Sequence, residues 1–179
     1  MRYKLVIAYD GTGFRGWQLQ PGRRTVQGEL EAALLRLTGE NVRVYASGRT
    51  DAGVHADGQV IAFDLVREWE PRRLFLALNA QTARDLAVRS AEAVLPDFDP
   101  RRAARRRRYV YRIWRAYYES PFWRRYAWRV SFALDVEAMQ QAAQHIIGRH
   151  DFSSLRAAGC DAETAVRHVF RSEFAVDGE

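Results

Sequence analysis

Cysteine is almost absent: Cys160 is the only one in 179 residues, so no disulfide can form within the chain. Histidine is also sparse, four residues scattered without metal-ligand spacing, and no metal is expected. Lysine is reduced to Lys4 among 28 basic residues. No apolar run approaches the roughly eighteen residues that read as a membrane-spanning helix. The opening Met1-Arg2-Tyr3-Lys4 leads into a strand-like run without a leader cleavage site. These absences exclude a disulfide scaffold and a zinc module, and they predict a cytoplasmic protein with no membrane partner.

What is present is arginine and aromatic rings. Formal charge is +6 and the pI is near 9.9, which favours an anionic partner, while 47% hydrophobic content is ample for a packed core. Residues 101–129 hold eleven arginines against one acid, Glu119. The same window carries Tyr109, Tyr111, Trp114, Tyr117, Tyr118, Phe122, Trp123, Tyr126 and Trp128. Phosphate contact and base stacking need guanidinium groups and rings together, so Arg105, Arg106, Arg107 and Arg108 are candidate RNA contacts. A solvated face over aromatic core is the plainer account of most of the rings.

Hydrophobic patterning divides the chain in two. Residues 3–9 are β-branched and aromatic and predict a buried strand. Gly11-Thr12-Gly13-Phe14-Arg15-Gly16 then matches a dinucleotide-binding fingerprint, but the glycines run into Trp17-Gln18-Leu19-Gln20-Pro21-Gly22, where no helix can open. That excludes the nucleotide fold and leaves a basic loop suited to a phosphate backbone, with Arg15 and Gln18 as candidate contacts. Thr25 is a helix N-cap, Leu30, Ala33, Leu34 and Leu37 make an apolar stripe, and Gly39 ends the helix. Strands are expected at 42–46 and 59–65, a helix from Pro71 through Leu78, and a strand at 86–95. The order is strand, helix, strand, strand, helix, strand, the ferredoxin-like pattern of an α+β protein.

After Asp97-Phe98-Asp99-Pro100 the second half begins. Strands are expected at 109–116 and 126–132. Asp135 caps a helix with a stripe of Val136, Met139, Ala143, Ile146 and Ile147, closed by Gly148. Residues 150–156 predict an irregular segment and 168–176 a final strand. The domains are residues 1–100 and residues 101–179.

Between the strands at 42–46 and 59–65 lies Ser47-Gly48-Arg49-Thr50-Asp51-Ala52-Gly53-Val54-His55-Ala56. One carboxylate and one guanidinium stand two residues apart, and Gly48, Gly53 and Gly58 suit positive φ or close approach. His55 is more economically a loop histidine bonded to backbone than a general base.

This loop, with Tyr9-Asp10-Gly11-Thr12, Gly16-Trp17-Gln18, Thr25-Val26-Gln27, Leu78-Asn79-Ala80, Arg108-Tyr109-Val110-Tyr111 and residues 148–156, resembles the tRNA pseudouridine synthase A family. The pieces occur in the family's order along nearly the whole chain. The resemblance implies two ferredoxin-like halves whose antiparallel sheets meet at a central cleft, a homodimer, and tRNA as partner through its anticodon stem-loop. It makes Asp51 the catalytic carboxylate, places Tyr109 beside the target base, and has Arg49 hold or replace the flipped nucleotide. The family pattern continues past the equivalent of residues 169–176 into a segment whose arginine pairs with the catalytic aspartate. The second half is therefore expected to be incomplete at Glu179.

Moving uracil from an N1 to a C5 glycosidic bond oxidises nothing and transfers no group to a second molecule, so no cofactor is expected. An ionised carboxylate suffices, as nucleophile at C1′ of the ribose or as base at C2′, and inside a cleft it needs a guanidinium partner. Two further classes stay open: a non-catalytic RNA-binding module, and a carboxylate glycosidase acting on nucleosides.

Overall fold

The computed structural model describes residues 1–156 and 164–176. Cys160 and the chain end at Glu179 lie outside the described residues. The chain divides into two compact units, Met1–Val110 and Tyr111–Glu179.

The first unit is built on β1 (Arg2–Tyr9), whose alternation decides its two faces. Tyr3, Leu5, Ile7 and Tyr9 are buried, while the residues between them are only half covered. Helices α1 (Val26–Thr38) and α2 (Pro71–Gln81) contribute Leu30, Ala33, Leu34, Leu74 and Leu78 to the same core. The expected caps are in place: Thr25 Oγ1 accepts from Gly28 N at 3.2 Å, and Gly39 ends α1 at φ 76°. At α2, Glu70 accepts from Arg72 N and Arg73 N ahead of Pro71. With β2 (Tyr45–Ala46), β3 (Ala56–Asp64) and β4 (Leu86–Val94) the sheet order is β2-β3-β1-β4, and every pairing is antiparallel. A short helix, α3 (Pro100–Ala103), follows under an Asp99 cap.

Two boundaries differ from expectation. The strand expected over 42–46 pairs only at Tyr45 and Ala46, with Val42 and Val44 packed into the core outside the ladder. Strand β3 starts at Ala56 instead of Gln59, because Tyr9 pairs with Ala56 across an irregularity in β1. The loop between β2 and β3 is thus residues 47–55. A second irregularity, between Val6 and Ile7, leaves Arg89 of β4 without a register partner. Asn79 of α2 secures it: its Oδ1 accepts from Val88 N and its Nδ2 donates to Val88 O, both at 2.9 Å.

The second unit departs further. Strand β5 (Ile113–Arg115) is much shorter than the expected 109–116, so Tyr109 and Tyr111 precede it and are exposed. Strand β6 (Trp128–Val130) replaces the expected 126–132, and its pairing with β5 is parallel, not antiparallel. Asp135 caps α4 (Val136–Gln144), which stops before Ile146 and Ile147, and Gly148 at φ 109° opens β7 (Gly148–Asp151) instead of closing the helix. A 3-10 turn, Ser153–Leu155, follows, and β8 (Val166–Val169), antiparallel to β7, stands where 168–176 was expected. The physical reason is burial. Val130 is the only buried hydrophobic side chain described in this unit, and α4 buries none of its residues, so little apolar area is available to extend the ladders.

Candidate active site

The 47–55 loop is held mainly through its main chain. At its start Ser47 N donates to Val60 O at 2.8 Å, and Gln59 Nε2 donates to Gly48 O. In the middle Trp17 N donates to Thr50 O at 2.9 Å and Gly53 N donates to Phe14 O at 3.2 Å. Asp51 turns the chain on itself, its carbonyl accepting from Val54 N at 3.2 Å. The residues on either side of Asp51 are therefore fixed by the segment that follows β1.

Two glycines of that segment explain why it reads as a nucleotide motif without being one. A Cβ on Gly11 would lie 2.1 Å from Val54 O, and one on Gly16, at φ 88°, would lie 2.8 Å from Thr50 O. At these two glycines the close approach is to the neighbouring loop. Of the loop's own glycines only Gly53, at φ 81°, has the left-handed conformation; Gly48 and Gly58 do not.

Side chains add three further anchors. The Tyr9 hydroxyl and Thr50 Oγ1 share a hydrogen bond of 2.8 Å, and burial pushes the Tyr9 phenol above its ordinary range against the opposing pull of that bond. His55 Nδ1 accepts from Gly11 N at 3.1 Å and lies 3.1 Å from Asp10 Oδ1. Nδ1 cannot accept from one and donate to the other at once; the bond to Gly11 belongs to the neutral ring with its proton on Nε2. Arg107 Nη2 donates to Ser47 O at 2.6 Å.

Asp51 itself is exposed, and its carboxylate makes no ion pair or hydrogen bond among the described residues. The guanidinium that the family resemblance pairs with this aspartate is expected past the equivalent of residues 169–176, and within the described residues Asp51 is an open carboxylate on a braced loop. Arg49 is exposed beside it, and Arg15 and Ala52 face a common open depression of about 460 Å³ lined also by Thr12, Gly13, Phe14 and Gly53. Gln18 is half-buried. Arg105, Arg106 and Arg108 are exposed on a segment without regular structure, and Tyr109 is 84% exposed with no ring contact among the described residues. The structure thus brings Arg15 and Arg107 to the loop that carries Asp51 and Arg49, and among the described residues it gives Tyr109 no hydrogen bond or ring contact to that loop. Sequence patterning missed Tyr9, Trp17, Arg24 and Asp85 as supports of the site. Tyr9 reads as core, and a pair separated by sixty-one positions leaves no local signal.

A family profile described as tRNA pseudouridine synthase matches residues 5–101, the stretch that contains β1, the glycine turn, the loop and α2. The chain belongs to the tRNA pseudouridine synthase family. It is 49% identical over 176 residues to "tRNA pseudouridine synthase A" of Geobacter sulfurreducens, covering 98% of this chain and 72% of that protein. The protein of the same name from Methylobacterium sp. (strain 4-46) is 49% identical over 179 residues, with 99% and 72% covered. That from Myxococcus xanthus is 48% identical over 177 residues, with 99% and 66% covered. These synthases are isomerases that modify tRNA, and the match runs through the whole braced loop. Among the described residues no helix is long and apolar enough to cross a membrane.

Proposed function

We propose that this synthase converts uridine to pseudouridine in the anticodon stem-loop of tRNA, with Asp51 as the group that opens the glycosidic bond. The observation that carries this is the bracing of Thr50 and Gly53 by Trp17 and Phe14, which holds the main chain on both sides of an exposed carboxylate. Asp51 acts at C1′ as nucleophile or at C2′ as base; either way the uracil leaves N1, turns and rejoins through C5. The uridine must first be unstacked from folded RNA at a cost of a few kcal/mol. Stacking on Tyr109 would return about 1–3 kcal/mol, and the ring's exposure makes it available for that contact. Arg49 steadies the flipped nucleotide, and Arg15, Gln18, Arg105, Arg106, Arg107 and Arg108 follow the RNA backbone.

The same proposal takes residues 1–100 as a ferredoxin-like half and residues 101–179 as the RNA-binding half. Support for the first comes from its element order and its sheet order β2-β3-β1-β4. It also takes the protein as a cytoplasmic homodimer, as the family resemblance implies.

Asp51→Asn is expected to abolish pseudouridine formation on unmodified tRNA while tRNA binding persists. Activity comparable to the unsubstituted protein would reject Asp51 as the reacting group. A second account, an RNA-binding module without catalysis, is favoured by the lack of an ion pair on Asp51 among the described residues. It predicts that the chain binds unmodified tRNA and leaves every uridine unchanged.

A further inference from the structure

We propose that Arg24 is a positioning residue for the Asp51 loop, acting through Phe14; the proposal rests on Asp51 being the reacting carboxylate. Among the described residues the Arg24 side chain forms its hydrogen bonds and ion pairs with Asp85 and Glu29, and with none of the residues assigned to RNA or to catalysis. Its guanidinium fork donates Nη1 to Asp85 Oδ2 at 2.6 Å and Nη2 to Asp85 Oδ1 at 2.8 Å, and Nε donates to Glu29 Oε1 at 3.1 Å. Two carboxylates thus hold the guanidinium, whose Cζ lies over the Phe14 ring, 4.1 Å from its centroid. The bond to Asp85 holds the Arg24 charge more firmly and pulls the Asp85 carboxyl below its ordinary range.

Phe14 is where this clamp meets the loop. Its ring is buried and packs edge-on against Tyr9 at 6.2 Å and 69°, and the Tyr9 hydroxyl bonds Thr50. Its carbonyl accepts from Gly53 N. One route reaches the residue before Asp51 and the other reaches the second residue after it. The ends of the segment are tied to the same clamp, since Arg15 N donates to Arg24 O at 2.8 Å and Asp10 N donates to Asp85 O at 2.9 Å. A displacement of the Arg24 fork therefore moves both supports of Asp51 together.

The charges of the pair are about one-third exposed, 36% for Arg24 and 31% for Asp85, and solvent screening makes such a pair a small contributor to global stability. Its geometry is a different matter. Lysine keeps the charge but has neither the planar fork that Asp85 and Glu29 hold nor a guanidinium carbon to sit over Phe14. That separates positioning from simple electrostatics, and a catalytic group moved by an ångström loses on the order of a hundredfold in rate.

The test uses Arg24→Lys, Arg24→Ala and Asp85→Asn in the full chain, with single-turnover pseudouridine formation at saturating enzyme, tRNA affinity and thermal midpoint measured for each. Expected for Arg24→Lys is a rate about ten- to a hundredfold lower with Kd for tRNA within about twofold, the split of a lost transition-state geometry. Methylguanidinium added to Arg24→Ala should recover part of the rate. Asp85→Asn, which keeps the arginine, provides an independent disturbance of the fork. A rate for Arg24→Lys equal to that of the unsubstituted protein overturns the proposal. So does a fall that only tracks the folded fraction and ignores methylguanidinium. Asp51→Asn run alongside tells the two failures apart: full activity there rejects the Asp51 assignment, whereas an inactive Asp51→Asn beside an unaffected Arg24→Lys rejects positioning alone.

Discussion

Asp85 illustrates how one carboxylate ties two distant turns together and what pH does to the tie. The Arg24 hydrogen bonds hold its carboxyl below the ordinary range, outweighing the opposing effect of burial. A depressed folded pKa means that the stabilisation is fully present above the ordinary carboxylate value near 4, and is lost as pH falls through the depressed value. Asp85→Asn is accordingly expected to cost about 0.5–1 kcal/mol at pH 7, discounted for the partial exposure of the pair. The gap should close as the pH drops below about 4. Urea midpoints from pH 7 to pH 3 check it; a gap that stays constant with pH would mean that the charge on Asp85 contributes nothing. At the same scale the Asp51 carboxylate stands open to solvent, without an ion pair among the described residues.

Elements place the loop more than they enclose it. The 3-10 turn Gly11–Gly13 lies so close to Val54 that Gly11→Ala must push the two segments apart, a cost on the order of 2 kcal/mol or more. Gly22→Ala is the control for close contact: Gly22, unlike Gly11, has a positive φ of 66°, so alanine there strains the backbone, but nothing lies within 4 Å of an added Cβ. Expected is a large loss of thermal midpoint and pseudouridine formation for Gly11→Ala, and for Gly22→Ala a small loss of midpoint only. Equal effects would deny the contact with Val54. Much of this layer was legible in sequence. The caps at Thr25 and Asp135, Pro71 at the start of α2, the stripe from Leu30 to Leu37 and the β-branched, aromatic run of β1 are local signals, and each element begins where they point. What local pattern does not carry is who meets whom. The G-x-G-x-x-G run looked like a ligand cradle because a sequence shows that a backbone must come close to something, not that the something is Val54 and Thr50. Asn79 at the β4 irregularity and Arg24 on Phe14 are hidden for the same reason. In the second unit alternation predicted long strands that burial does not sustain; Tyr109 stands outside any ladder, and Ile146 and Ile147 fall beyond the end of α4.

At the scale of the whole molecule the charge and the core are distributed unequally. Nearly every buried hydrophobic residue described belongs to the first unit, while the densest arginine run sits at that unit's end and beyond it. Arginine spreads its charge over a flat, weakly hydrated group, which suits phosphate and base faces alike. Replacing Arg105, Arg106 and Arg108 by glutamine, with Arg107 left on Ser47, should weaken binding to every RNA. It should also flatten the slope of log K against log salt by roughly 0.7–0.9 for each phosphate no longer neutralised. Titrations of tRNA between low and moderate salt measure this, and an unchanged slope would return the run to an ordinary solvated face. The main-chain grip on residues 50–54 has a consequence for how the protein can change over time. Since Trp17 and Phe14 hold the loop by peptide atoms, the exposed side chains of Ala52 and Val54 take no part in those bonds. Substitution at those two positions should change what the loop presents to solvent and leave the main-chain placement of Asp51 intact.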